Sequence, residues 1–185
     1  MIKMLAALVT LFLLNSVLMV RGQSCNIEPN YFNNFNMLEY LGKWEEQYRN
    51  PNEYERYYTC EFDDYSLSSN DDIAVLSRAY NTSTRRVETS VGKVSAWNNN
   101  SFTLSYTTDK LWSQTYWVRG TDYKTYSIVS GCLDGESSPL TWIATRSKNP
   151  SKDVLEEIER VLKQYNMNLN DFERVDHSDC PDSSQ

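Results

Sequence analysis

Between Trp44 and Arg146 the chain alternates aromatic and β-branched residues with polar ones, segment after segment. A period of two is that of a β-strand with one buried face. Clusters rich in Asn, Asp, Ser, Gly and Pro interrupt the pattern at short intervals, as turns do. The pattern predicts strands over residues 43–50, 57–67, 73–80, 86–97, 101–108, 114–121, 125–131 and 140–146.

The short links between these predicted strands favour an up-and-down antiparallel arrangement. Closing the sheet into a barrel removes both exposed edges, and a two-sheet sandwich is the main alternative. One amphipathic helix follows over residues 149–166, with Asn149 as the expected N-cap and Pro150 in the first turn. The predicted fold is all-β, an eight-stranded antiparallel up-and-down barrel with one C-terminal α-helix packed outside. The helix has an apolar face formed by Val154, Leu155, Ile158, Val161, Leu162 and Tyr165.

Residues 1–22 have the composition of a secretory signal peptide. Lys3 precedes an apolar stretch, and residues 20–22 offer a cleavage point. A membrane anchor is the alternative, but the apolar run is short and polar residues 15–16 interrupt it. The sequence therefore predicts a secreted, extracellular protein with one domain over residues 23–185, long enough to bury a core.

The charge of the chain excludes some partners. The formal net charge is −7, and removal of the signal peptide with Lys3 and Arg21 takes it to −9. An acidic surface repels phosphate backbones, so we expect no nucleic-acid partner. Anionic membrane surfaces are disfavoured for the same reason.

The cysteines and sequons fit an oxidising compartment. The even number of cysteines predicts two disulfides, for which spacing alone permits three pairings. No CxxC motif occurs and His177 is the only histidine, so we expect no metal site and no cofactor. Sequons at Asn81 and Asn99 predict a glycoprotein. The four cysteines are Cys25, Cys60, Cys132 and Cys180.

The inward faces of a closed barrel have an unusual composition. In the first predicted strand Trp44, Glu46 and Tyr48 share a face, and in the sixth Tyr116 and Val118 do. Such faces combine aromatic rings with a carboxylate and a hydroxyl. A cavity for one ligand suits this mixture, whereas a solid aromatic core is the competing interpretation.

Three separated motifs give the chain a family resemblance. "GKW" occupies residues 42–44, "TDY" occupies residues 121–123, and Arg146 closes the last strand in "TWIATR". In this order, behind a signal peptide and ahead of one helix, they resemble the lipocalins. The resemblance covers residues 25–180 and is nearest to the apolipoprotein D group, with the insect bilin-binding proteins and insecticyanins.

The resemblance implies how the barrel is closed. Trp44 would plug one end, with the Arg146 guanidinium across its indole face. Gly42 would let the chain turn sharply into the barrel. Glu46 matches the family pattern, whereas Glu45 replaces an aromatic residue and is expected to face outward. The disulfides of the group pair the first cysteine with the third and the second with the fourth, which implies Cys25–Cys132 and Cys60–Cys180. The "TDY" motif comprises Thr121, Asp122 and Tyr123.

Candidate ligand contacts come from the resemblance and from alternation. Tyr65, Tyr116 and Trp142 match pocket aromatics of the group, and Ser77 stands where the group can carry an Asn. Glu46 is expected to contact a hydrogen-bond partner or the ligand, because a buried carboxylate is costly alone. Alternation along the strands adds Tyr48, Phe102, Leu104, Tyr106 and Val118.

The resemblance implies a non-catalytic carrier of a small hydrophobic ligand such as a bilin, retinoid, sterol or fatty acid. One branch of the family isomerises prostaglandins with a free cavity cysteine, but all four cysteines here match disulfide positions, so we expect no enzyme. A secreted protein acting through its outer surface is the other alternative. The open-end loops around residues 52–57 and 108–114, with Leu111 and Trp112, are candidates for a weak membrane or receptor contact.

Overall fold

A computed structural model describes residues 25–68, 70, 72–107, 111–133 and 138–181. The predicted signal peptide and residues 108–110 of the predicted 108–114 loop lie outside the described residues, as do the side chains of Leu111 and Trp112. The helices and strands, in chain order, are α1 (Met37–Tyr40), β1 (Gly42–Arg49), β2 (Tyr58–Leu67), β3 (Ile73–Asn81), β4 (Arg86–Trp97), β5 (Ser101–Thr107), β6 (Leu111–Thr121), β7 (Tyr126–Gly131), β8 (Leu140–Thr145), α2 (Lys152–Gln164) and β9 (Glu173–Arg174), with a 3₁₀ turn at Leu169–Asp171 between the last two.

Strands β1 to β8 form a closed antiparallel barrel. Each strand pairs with the next along the chain, and β1 pairs with both β2 and β8. Trp44 lies opposite Asp63 on β2, and Glu46 lies opposite Ala144 on β8. The sheet therefore has no free edge between its first and last long strands, and the predicted barrel is confirmed.

A β-bulge in β1 changes which of its side chains enter the barrel. The register with β8 shifts between Glu46 and Tyr48, so that Tyr48 lies opposite Ile143. One extra residue on a strand reverses the faces that follow it. Tyr48 packs with Ile143 and the apolar residues of α2 outside the barrel. This corrects its prediction as a ligand contact.

Helix α2 packs against the outer face of β7 and β8. Ile158 and Leu162 are fully buried against Ile128 and Ile143. The N-cap is Ser151, whose hydroxyl accepts a hydrogen bond from the Val154 backbone N–H at 3.5 Å, rather than the predicted Asn149. Ser151 has the extended backbone of an N-cap, so the helix starts after it.

The C-terminal tail adds a ninth strand that the alternation did not predict. Strand β9 pairs with the open-end half of β1, and the Val175 N–H donates to the Gln47 carbonyl at 2.9 Å. The structure contains both disulfides implied by the resemblance, Cys25–Cys132 and Cys60–Cys180. The second fixes the tail to β2, and the first fixes the N-terminal arm beside the end of β7. Across the described ranges, no helix is long and apolar enough to cross a bilayer.

Candidate ligand-binding site

One end of the barrel, the closed end, is sealed by Trp44 and Arg146. The Arg146 guanidinium carbon lies 3.5 Å from the centroid of the Trp44 ring, and Trp44 is 2% exposed. The Trp44 indole N–H donates to the Tyr40 carbonyl at 2.9 Å. The guanidinium donates to the carbonyls of Leu41, Lys43 and Tyr123 at 2.8–3.2 Å. Its charge is thus spread over an aromatic face and several neutral acceptors.

Gly42 permits this close approach. Its φ is +95°, a conformation that L side chains rarely adopt, and an added Cβ would lie 3.2 Å from Arg146 Nη1. The "TDY" motif holds the other side of the guanidinium. Asp122 Oδ1 accepts from the backbone N–H groups of Lys124, Thr125 and Tyr126 at 2.8–3.1 Å. The motif is therefore a hydrogen-bonded turn that presents its backbone to Arg146.

Side chains from the N-terminal arm fill part of the barrel interior. Phe35 and Met37 from the arm and α1 pack there with Phe102, Leu104 and Val118. Leu104 is 2% exposed and Val118 is fully buried in this cluster. Unlike Phe102, neither Leu104 nor Val118 is among the residues that line the cavity described next, so their contact with a ligand stays a prediction.

The barrel also encloses a cavity of about 560 Å³. This volume falls within the range of small-molecule sites. The predicted ligand positions that line it are Glu46, Tyr65, Ser77, Phe102, Tyr106, Tyr116 and Trp142. Trp44 forms part of its lining at the closed end. The predicted set of ligand contacts did not include the remaining lining residues, which are Tyr40, Tyr54, Glu55, Tyr58, Glu61, Phe62, Asp63, Ser90, Ser127, Val129 and Ala144.

Aromatic rings form a continuous wall of the cavity. Phe102 stacks on Tyr116 with ring centroids 5.6 Å apart, and Tyr116 meets Trp142 edge-on at 5.5 Å. Tyr65 contacts Phe102 edge-on from the opposite strand. Each ring is held by another, so the wall offers preformed apolar surface to a flat or ring-containing ligand.

A polar cluster on β2 and β3 interrupts this wall. Asp63 accepts a hydrogen bond from the Ser77 hydroxyl, which is also 2.7 Å from the Tyr106 hydroxyl. Tyr65 contributes a weaker bond at 3.5 Å. Burial raises the pKa of Asp63 to about 6, although the bonds from Ser77 and Tyr65 lower it. The cluster places a carboxyl group beside the aromatic rings.

Near the open end of the barrel, several glutamates lie around Arg49. Arg49 Nη1 lies 3.1 Å from Glu46 and 2.8 Å from Glu61, and the Arg49 side chain is 4% exposed. Glu55, from the loop between β1 and β2, accepts from the Trp142 indole N–H at 3.0 Å. Burial and the neighbouring Glu55 raise the pKa of Glu61 to about 8, and burial with Glu61 raises that of Glu46. Carboxylate oxygens of Glu46, Glu55 and Glu61 lie within 4.8 Å of one another.

Glu45 does not have the solvated position expected of it. It is 5% exposed, and its carboxylate pairs with Lys43 Nζ at 2.7 Å. The second oxygen, Oε2, is buried without a hydrogen-bond partner among the described residues. The residue does alternate with the cavity-lining Trp44 and Glu46, so only its exposure was wrongly predicted.

The family model for the lipocalin and cytosolic fatty-acid binding protein family matches residues 41–179. The chain is a lipocalin. The Lazarillo protein of Schistocerca americana is 33% identical to it over 159 residues, covering 79% of this chain and 72% of the relative. The predicted family is thus confirmed.

Two solved structures of arthropod proteins resemble this lipocalin. The cockroach major allergen Per a 4 is 40% identical, with a TM-score of 0.77 over 84% of this chain and 96% of the allergen. Insecticyanin from the tobacco hornworm Manduca sexta shares the fold at 21% identity, with a TM-score of 0.73 over 83% of this chain and 86% of that protein. All four cysteines of this lipocalin are in disulfides, so no thiol is available as a nucleophile.

Proposed function

We propose that this lipocalin is a secreted, non-catalytic carrier of one small hydrophobic ligand held in the barrel cavity. The observation that carries the proposal is the cavity of about 560 Å³ walled by Phe102, Tyr116 and Trp142. Removing apolar ligand surface from water into such a site supplies the binding free energy without any chemistry. The family's description includes fatty-acid binding proteins, which supports this class of function.

The secreted state rests on the predicted signal peptide and is supported by the two disulfides, which persist in oxidising compartments. Of the two sequons, Asn99 is exposed in the turn between β4 and β5, whereas the Asn81 side chain donates to Glu88 at 2.9 Å. We therefore expect glycans on Asn99 more readily than on Asn81. The intact mass of protein secreted from insect cells, before and after deglycosylation, measures both processing steps.

A cavity-filling variant tests the carrier function. Ala144 lines the cavity, so Ala144→Phe places a ring inside it. Ala96→Phe, on the exposed part of β4, is the matched control. We expect quenching of tryptophan fluorescence by retinol in the wild type and in A96F, and at least tenfold weaker quenching in A144F. Equal binding by all three proteins would place the probe on the outer surface. Absence of binding by every apolar probe, whether neutral, anionic or cationic, would favour a function of the outer surface.

A further inference from the structure

The cavity has an unbalanced charge. Four carboxyl groups line it, and its described lining contains no Lys, Arg or His. The Arg49 guanidinium contacts Glu46 and Glu61, but Arg49 is not one of the lining residues. A site for a neutral ligand needs only one or two polar groups for orientation. The four acidic lining residues are Glu46, Glu55, Glu61 and Asp63.

Arg49 does not compensate this charge. Its guanidinium also donates to Glu173 on β9 at 2.6 Å and to the backbone carbonyls of Glu55 and Tyr58. It reaches one oxygen of Glu46 and one of Glu61. The second oxygen of each accepts no hydrogen bond within the described part of the chain, although Glu46 is only 13% exposed. These second oxygens belong to residues that line the cavity, so they are left for a donor from a ligand or from water.

Aromatic rings lie directly beside these carboxylates. Trp142 bonds Glu55 through its indole N–H, and Tyr116 packs against Trp142. Ring faces attract cations, and buried carboxylates do so more strongly. The cavity therefore combines an apolar compartment with a cation-attracting end.

We propose that the ligand is an organic cation, an aromatic amine whose ammonium group donates to Glu46 and Glu61 while its ring lies against Tyr116 and Phe102. This inference rests on the proposed carrier function and specifies its ligand class. It also disfavours fatty acids and other carboxylates, because their negative charge would enter the acidic end of the cavity.

A divalent metal ion is the competing occupant of the three glutamates. Their oxygens lie within 4.8 Å of one another, but the Arg49 guanidinium already contacts two of the three residues. A hard divalent cation would have to approach within a few Å of that positive charge. The adjoining aromatic wall also has no role in holding a metal ion, whereas it matches the apolar part of an amine.

Three probes that share one naphthalene ring and differ in charge test the proposal. They are 2-(1-naphthyl)ethylamine, 1-propylnaphthalene and 3-(1-naphthyl)propionate, titrated into the full disulfide-bonded protein by calorimetry at pH 7.5. We expect the amine to bind at least about tenfold more tightly than the neutral probe and the anion to bind least tightly. The preference for the amine should grow from pH 5.5 to pH 8, because the carboxyl groups of Asp63 and Glu61 ionise over this range beside Glu46, Glu55 and Arg49.

Variants assign the preference to the glutamates. E46Q/E61Q should lose most of the tenfold preference while binding 1-propylnaphthalene as the wild type does, and E156Q on the exposed face of α2 should change neither. If the double variant does not fold, E61Q alone should also weaken the preference for the amine.

Equal or tighter binding of the neutral or anionic probe by the wild type overturns the amine proposal and leaves the carrier function standing. Displacement of the amine by equimolar Ca²⁺ or Zn²⁺ assigns the glutamates to a metal instead, and no binding of any probe counts against the carrier function itself.

Discussion

An arginine lies at each end of β1, Arg49 buried and Arg146 half-buried, and their surroundings are opposite in kind. Arg146, at the closed end, lies on an indole and donates to neutral backbone carbonyls. Arg49, at the open end, contacts the carboxylates of Glu46, Glu61 and Glu173. Burial lowers the pKa of Arg146, whereas Glu46 and Glu61 raise that of Arg49 although burial opposes them.

This difference suggests that the closed end of the barrel serves stability and that the open end serves ligand binding. At the closed end the hydrogen bonds of the Arg146 guanidinium go to backbone carbonyls, which do not titrate, so its contribution to stability should change little between pH 5 and pH 8. The open end crowds acidic groups that repel one another in a low-dielectric interior, which costs stability. Such a cost in stability is typical of functional sites, where the charge of the side chains complements a ligand.

Removal of the closed-end plug should have the largest effect. Trp44→Ala should lower the free energy of unfolding by about 3–5 kcal/mol, because it leaves a cavity beneath Arg146 and deletes the ring under its charge. Urea unfolding with the disulfides intact measures the change. Trp97→Ala is the control, since Trp97 is 51% exposed, and should cost less than about 1 kcal/mol. Similar losses in both variants would show that the closed end is not a special source of stability.

Replacing Arg49 and Arg146 in turn should give losses of unfolding free energy that depend on pH at the open end and not at the closed end. Arg49→Met should lower the unfolding free energy by about 3 kcal/mol at pH 8, because it leaves buried carboxylates without a cation. The loss should shrink by about half at pH 5, where Glu46 and Glu61 take up protons in the folded state. Arg146→Met should cost about 2–3 kcal/mol at both pH values, because its acceptors are neutral carbonyls.

Urea unfolding of both variants and the wild type at the two pH values measures this contrast. Arg56→Met is the control for loss of an arginine at the surface, since the Arg56 side chain is 52% exposed. The comparison between the two ends fails if R146M shows the pH dependence and R49M does not.

The sequence predicted the closed end more completely than the open end. Trp44 and Arg146 are recognisable because the barrel needs them in fixed motifs, Gly-x-Trp at its first strand and Arg after its last. Tyr48 was placed inside because alternation assumes a regular strand, and the bulge after Glu46 has no signature in the pattern. The cluster that includes Leu104 and Val118 also contains Phe35 and Met37 from the N-terminal arm, and periodicity along the strands does not predict where that arm packs.

The acidic residues at the open end could be predicted from the sequence only in part. Glu61, Asp63 and Tyr65 alternate along β2, so the period of two could have predicted that all three face the cavity. The family resemblance indicated only Tyr65. Glu55 comes from the loop between β1 and β2, where no periodicity applies. Its meeting with Trp142, 87 positions along the chain, is set by closure of the barrel.

The smallest effect should come from neutralising one open-end carboxyl. Burial raises the folded-state pKa of Glu61 to about 8, above the value of about 4.3 for an unfolded chain. Between these values the unfolded chain releases a proton that the folded protein keeps, so stability falls as pH rises from about 4.3 to 8. Glu61→Gln cannot ionise and should remove part of this slope, which makes it about 1–2 kcal/mol more stable than the wild type at pH 8.

Urea unfolding of E61Q, with E156Q as the exposed control, measures this slope between pH 4.5 and pH 8. A saturating amine ligand should stabilise the wild type most at high pH, where the carboxyl groups of Glu46 and Glu61 are ionised, because its charge offsets the repulsion that E61Q removes. An E61Q protein that is less stable than the wild type at pH 8 would show that Glu61 serves the fold through Arg49. The open end would then resemble the closed end, with its charges present for stability, and the reason to expect a cationic ligand would be gone.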